Sequence, residues 1–264
     1  MDRRRFLKAL SGAAAGAGLT PFSSAWAVEA ARVPIPKRPV VVVDAGHGGI
    51  DPGCIGRNGT YEKDIVLSTS MELAKQLEAT KRFKVYMSRT DDSFVALGDW
   101  VARARAKGAD LFLSIHADAL PEAHARGASV FTLSERASDR EAAALAEREN
   151  RSDQIAGINF GVQDPEVNEI LFDLTRRQTN NLSIRLAQRL VSELSHRVRL
   201  LNHSHRSAAF AVLKAPDVPS ALIEIGCLSN RDEERALREA SYQRQVATAL
   251  VRSANDYFEY VAKG

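Results

Sequence analysis

Three separated side chains, His47, Glu62 and His116, are of the types that ligate a transition metal, and a fourth, Glu224, is of the type that moves protons beside one. His47 lies in VVVDAGHGGIDPG, where a valine run breaks into a loop with glycines at 46, 48, 49 and 53. Those glycines let the loop fold back with little steric resistance. His116 closes the apolar run LFLSI, and Glu62 falls in the first turn of the helix expected after the glycine loop. Two imidazoles and one carboxylate suit Zn²⁺ in a catalytic site, where a fourth position stays open for water. Taken singly, the residues admit plainer readings: His47 capping a turn, Glu62 favouring a helix N-terminus, His116 a satisfied core histidine. Glu224 sits inside the apolar stretch ALIEIG. Burying an unpaired charge there costs several kcal/mol unless a partner or an ion offsets it. Beside a metal, Glu224 could take a proton from water and pass it to a leaving amine; a structural salt bridge is the other reading.

The positioning elements follow from periodicity. Runs at 40–43, 111–115 and 220–225 have the near-continuous apolar character of strands covered on both faces. Residues 84–88 and 128–133 read as further strands. Helices are predicted at 61–79, with Val66, Leu73 and Leu77 inward, at about 100–107 and at about 242–261. This alternation predicts an α/β, three-layer domain with a mostly parallel twisted sheet. Ligands of such sheets bind beyond the carboxyl ends of the strands, where both His47 and His116 fall. A segment of about 138–194 interrupts the alternation with helical patterns at 139–151 and 167–194. In the second, Val167, Ile170, Leu171 and Leu174 follow the i, i+3, i+4, i+7 template, a stripe that must be buried against something.

The chain has 264 residues, 45% of them hydrophobic, enough for a substantial core. Residues 1–27 read as an export signal: MDRRRFLKAL supplies a charged start, an Ala/Gly-rich segment follows, and AWA fits a cleavage site. The order RRRFLK resembles a twin-arginine signal, which implies periplasmic export of a folded chain. Without those residues 32 basic side chains face 32 acidic ones. The near-zero charge removes the case for a nucleic acid partner. Residues 28–38 read as a linker. A monomer without stable membrane insertion is expected. Two cysteines, Cys54 and Cys227, leave a disulfide open. Asp44 and Asp118 are candidates to orient a ligand histidine. His203 and His205 read as loop residues near a substrate cleft. Ser114 is set aside as a nucleophile, on the expectation that it faces away from His116, and Cys227 because no motif supports it.

With those residues in view, VVVDAGHGGIDPGCIGRNGTYEKDIVL, GADLFLSIHAD, GASVFTLS, AERENRSD and VLKAPDVPSALIEIGCLSN together resemble zinc-dependent N-acetylmuramoyl-L-alanine amidases, in the periplasmic group that splits the septal cell wall of Gram-negative bacteria. The resemblance runs over 39–264, in order, and implies that His47, Glu62 and His116 hold Zn²⁺ and that Glu224 is the catalytic glutamate. It implies hydrolysis of the amide between N-acetylmuramic acid and L-alanine in peptidoglycan. It also implies that the interrupting segment is a regulatory insertion, in which Glu149 approaches the metal in place of water, with Glu141 and Glu147 as neighbouring candidates. Release would then require a LytM-domain activator protein, with Ile170, Leu171 and Leu174 as part of its docking surface. Many relatives carry an N-terminal β-rich targeting domain, for which 28–38 leaves no room. The competing readings are a catalytically silent wall-binding protein and a zinc peptidase of another specificity.

Overall fold

The computed structural model describes residues 38–122, 124–155 and 169–263, with the side chains of 169–174 excepted. The expected export signal, and most of the expected linker, lie outside the described residues. In chain order the elements are β1 Val40–Ala45, α1 Glu62–Ala79, β2 Lys84–Met87, α2 Leu97–Ala106, β3 Leu111–Asp118, β4 Ala128–Leu133, α3 Arg140–Glu149, α4 Ser152–Ile155, α5 Glu169–Ser195, β5 Leu200–Ala208, β6 Ser220–Cys227, α6 Arg231–Arg238 and α7 Ala240–Lys263.

One six-stranded sheet runs in the order β2-β1-β3-β6-β4-β5. The first four strands are mutually parallel, β4 runs antiparallel to β6, and β5 runs parallel to β4. The carboxyl ends of β1, β3 and β6 therefore share one edge with the amino ends of β4 and β5. Strand alternation sends Val41, Val43, Leu111, Leu113, Ala221 and Ile223 to one face, under α1, α5 and α7. Val42, Phe112, Phe131 and Leu222 go to the other, under α2, α3 and a 3-10 turn at Ala211–Leu213. These are the three layers expected of an α/β alternation. Val66, Leu73 and Leu77 on α1 are fully buried, as their spacing predicts.

The interrupting segment divides in two. On α5, Leu186, Leu190 and Leu194 recur every four residues and are wholly buried in the main core, so this half is a structural layer of the domain. Each such leucine contributes about 1.5–3 kcal/mol by burial. Only 138–155, within the described residues, lies against the sheet edge where the strands end. Besides the short α4, two elements go beyond the sequence reading. Residues of β5, expected as loop, form the edge strand. Between the pairs Ala128↔Leu200 and Val130↔His205 it holds several residues that β4 does not match, which erases any period-two pattern. Helix α6 is almost wholly charged, and Asn230 caps it by accepting from the N–H groups of Asp232 and Glu233.

Candidate active site

At the carboxyl end of β1 the chain turns sharply. His47 has a positive φ of 61°, a strained conformation for a residue with a Cβ, and such strain collects at functional sites. Gly46, just before it, admits no side chain: a Cβ there would lie 2.4 Å from His116 Cε1. Glu62 opens α1, and its carboxylate folds back over the loop. Oε2 accepts from the Cys54 N–H at 2.8 Å and Oε1 from the Ala117 N–H at 2.9 Å. Two backbone donors thus fix the carboxylate in one orientation.

Four side-chain atoms converge. His47 Nε2 lies 3.1 Å from Glu62 Oε1 and 3.3 Å from Glu149 Oε2. His116 Nδ1 lies 3.2 Å from each of the same two oxygens. Ligand atoms at about 2.0–2.1 Å from a tetrahedral ion stand about 3.3 Å apart. Although His47 Nε2 is buried and close to two oxygens, it makes no hydrogen bond of acceptable geometry. His116 Nδ1 does meet Glu62 Oε1 as a hydrogen bond, but the unpartnered His47 Nε2 faces the same two oxygens at ligand spacing, and His47, His116 and Glu149 form the candidate metal-holding group among the described residues. Electrostatics agree. Burial opposes charging His47, yet Glu62 and Glu149 hold its pKa well above the usual value; burial likewise opposes charging His116, which Glu149 and Glu62 raise. Burial works against ionising Glu149 too, but His116 and His47 draw its carboxyl down to about 2, and Glu62 is lowered for the same reason. The cluster is built to contain positive charge.

The residue that orients His47 is neither of the two expected aspartates. Asp51 Oδ2 lies 2.9 Å from His47 Nδ1, and its Oδ1 accepts from the Gly53 N–H at 3.1 Å. Asp44 instead accepts from Ser114 Oγ at 2.6 Å, and Asp118 pairs with Arg148. Neither hydrogen-bonds a ligand imidazole. Asp51 is four residues beyond His47, and the consecutive positive-φ residues His47, Gly48 and Gly49 turn the chain so that its carboxylate comes under the ring. Ser114 and His116, two residues apart on β3, share a face rather than opposing one another. What disqualifies Ser114 as a nucleophile is its complete burial, with its hydroxyl donating to Asp44. Cys54 and Cys227 are free thiols, and burial, aided by Glu62 and Glu233 respectively, pushes each thiol's pKa up. Neither is disposed to act as a thiolate.

Glu224 lies on β6 in register with His116 on β3 and Ser129 on β4. It is 1% exposed, and neither carboxylate oxygen has a hydrogen-bond partner among the described residues. Burial first, then Asp118, raises its pKa well above the usual carboxylate range. A buried carboxylate left without a donor, beside the candidate metal-holding group, has the makings of a general base and acid.

Helix α3 brings the last component. Asp139 caps its start by accepting from the Ala142 N–H at 2.8 Å, and its apolar face, Ala142, Leu145 and Ala146, packs on the sheet. Its final turn then inserts Glu149, 6% exposed, among the imidazoles. Glu147 is exposed, and Glu141 pairs with Arg206 at 3.0 Å. The residues that follow pin this arrangement. Asn150 donates to Ala209 O at 2.9 Å and accepts from Ala211 N–H at 2.7 Å. Ser152 Oγ donates to Asp51, and Asp153 accepts from the Leu97 N–H at 2.8 Å, at the start of α2. The cavity left beside the cluster, lined by Asp44, His47, His116 and Glu149, is about 20 Å³, room for one water. His203 and His205 are on β5, not in a loop; His205 Nε2 meets Thr132 Oγ1 at 3.2 Å. Ile170, Leu171 and Leu174 lie on the first turns of α5, and their side chains are outside the described residues.

Comparison with known proteins adds identity to geometry. The family described as N-acetylmuramoyl-L-alanine amidase matches residues 41–256. The chain is 41% identical over 225 residues to N-acetylmuramoyl-L-alanine amidase AmiA of Escherichia coli (strain K12), covering 84% of this chain and 76% of that protein. It is 40% identical over 223 residues to AmiC of Escherichia coli O6:H1, covering 84% of this chain but only 53% of AmiC. Among solved structures, the CwlD amidase from Clostridioides difficile, in complex with the GerS lipoprotein, superimposes with a TM-score of 0.64 at 24% identity, over 84% of this chain and all of that one. At that identity the likeness is one of fold.

Proposed function

The chain belongs to the N-acetylmuramoyl-L-alanine amidase family, and from that premise we propose that it hydrolyses the amide between N-acetylmuramic acid and L-alanine in peptidoglycan, with Zn²⁺ held by His47, Glu62 and His116. When bound there, the ion supplies Lewis-acid polarisation of a carbonyl and a water of lowered pKa at neutral pH. The protein's own groups do the rest. Asp51 fixes the orientation of the His47 ring, and the Cys54 and Ala117 amides fix that of Glu62, so the donor set is preorganised. Glu224 accepts the proton released as water attacks, then delivers it to the departing L-alanine amine. Its burial and raised pKa suit both halves of that cycle, since a carboxylate of ordinary pKa is a poor acid near neutrality. The observation that carries this reading is Glu224 itself, a buried carboxylate without a donor, set by strand register beside a metal ligand.

In this reading Glu149 also holds the enzyme off: its carboxylate, beside His47 and His116, would compete with water for a bound ion, and Asn150, Ser152 and Asp153 tether α3 there. An activator of the LytM-domain type would shift this closed state towards an open one, with the first turns of α5 as its docking surface. Twin-arginine export to the periplasm and a role in septal wall splitting complete the proposal. The test is mass spectrometry of products from purified peptidoglycan treated with the Glu149→Ala chain, which lacks the block. Peptides beginning with L-alanine, lost with a zinc chelator and in Glu224→Gln, are expected. Glycan fragments alone, or undiminished release by Glu224→Gln, would refute the assignment.

A further inference from the structure

We propose that the groove between the loop after β3 and the start of β5 is a binding site for the carboxylates of an acidic peptide, the part of the substrate that extends beyond the scissile amide; this rests on the amidase reading above. The groove has a volume of about 850 Å³, within the range of ligand-binding clefts. Arg126, Arg140 and Arg199 line it, all exposed, and none forms an ion pair with a carboxylate among the described residues. Asp139 and Glu141, also at its wall, are engaged by Arg206 at 3.7 and 3.0 Å. Buried Glu233, held by the N–H groups of Gly127 and Cys227, faces Arg126 and Arg199 and offsets part of their charge. Exposed Glu122 is the remaining acid at the rim, so the groove keeps a positive surplus.

Its place in the fold connects it to the chemistry. The loop that forms one wall continues directly from His116 and Asp118, and β5 is two strands away from Glu224 on β6. Two strand spacings are about 10 Å, which an extended peptide covers in about three residues. Carboxylates from the third residue onward would therefore meet the arginines, whose planar forks match them in bidentate fashion. No Phe, Tyr or Trp lines the groove, which argues against a stacking platform for sugar rings. Helix α3 lies between the two places, its first turn walling the groove and its last residue in the metal cluster. The groove is open while the metal cluster is closed, so peptide binding is measurable without an activator.

The test is calorimetric titration of the zinc-loaded full chain with N-acetyl-Ala-Glu-Glu-Ala, its fully amidated Gln counterpart, and inorganic phosphate. The acidic peptide is expected to bind at least tenfold tighter than the amidated one, to weaken with added salt, and to lose at least tenfold affinity in Arg126→Gln/Arg199→Gln with circular dichroism unchanged. In turnover of peptidoglycan on a Glu149→Ala background the same double substitution should raise KM with kcat within about twofold. Equal binding of the two peptides, parental affinity in the double variant, or binding of phosphate alone would each overturn the proposal. Absence of peptides beginning with L-alanine from digests by both the unaltered and the Glu149→Ala chains would instead refute the amidase reading, an outcome the binding experiment does not depend on.

Discussion

Replacing Glu149 by alanine should switch the enzyme on. The Glu149 Oε2 atom approaches His47 Nε2 at 3.3 Å and His116 Nδ1 at 3.2 Å, and a contact to a charged partner contributes about 1.5–3 kcal/mol. At 1.4 kcal/mol per tenfold, loss of one such contact moves the closed-to-open ratio by roughly 10- to 150-fold. Asn150, Ser152 and Asp153 still tether the segment, so activity should rise within that range rather than to the fully activated rate. Activator-free release of soluble peptides from peptidoglycan, followed by liquid chromatography and mass spectrometry, is the assay. Bound zinc measured by atomic absorption should stay at the parental level, because His47, Glu62 and His116 are untouched. Glu147→Ala, on an exposed side chain of the same helix, is the control and should change nothing. An unchanged rate in Glu149→Ala would refute the blocking role. Loss of zinc together with activity would make Glu149 an obligatory ligand instead.

Other perturbations test the supporting structure. Asp51→Asn weakens the hold on His47 Nδ1 and should lower zinc affinity about 10- to 100-fold, read by competition with a chromophoric chelator; parental affinity would remove Asp51 from the account. Leu190→Ala should destabilise the fold by about 2–5 kcal/mol, since Leu190 is wholly buried, and a urea titration that moved less than 1 kcal/mol would contradict the placement of α5 in the core. The metal-free chain should show a stability window. The carboxyls of Glu62 and Glu149 are depressed below their ordinary 4.5, so their contribution is present above about 4.5 and is lost as pH falls towards about 2. His47 and His116 are raised above 6.5, so theirs is complete below about 6.5 and is lost as pH climbs through the raised values. Urea midpoints of chelator-treated protein should therefore peak between about pH 4.5 and 6.5, and a midpoint still rising at pH 9 would contradict the clustering.

What could be read without a structure depended on how local its physical cause was. Continuous apolar runs announce strands buried on both faces, and the recurrence of Val66, Leu73 and Leu77 announces an inward helix face, because side-chain direction follows from backbone period alone. The types of His47, Glu62, His116 and Glu224, at strand ends or a helix start, were legible for the same reason: an open parallel sheet delivers its strand ends to one edge. Strand β5 was not legible, because its unmatched residues break the alternation and its edge position leaves LLNHSHRSA half in water. Helix α6 was hidden by RDEERALR, which has no apolar stripe long enough to register. Tertiary packing alone decided that Asp51, rather than Asp44 or Asp118, sits under His47, since that depends on the positive-φ turn at His47, Gly48 and Gly49. It alone decided that the end of α3 reaches the His47–His116 cluster, and that α5 belongs to the core. Those choices are made between segments far apart in the chain, where burial and charge are settled by which surfaces meet and no local period can encode the outcome.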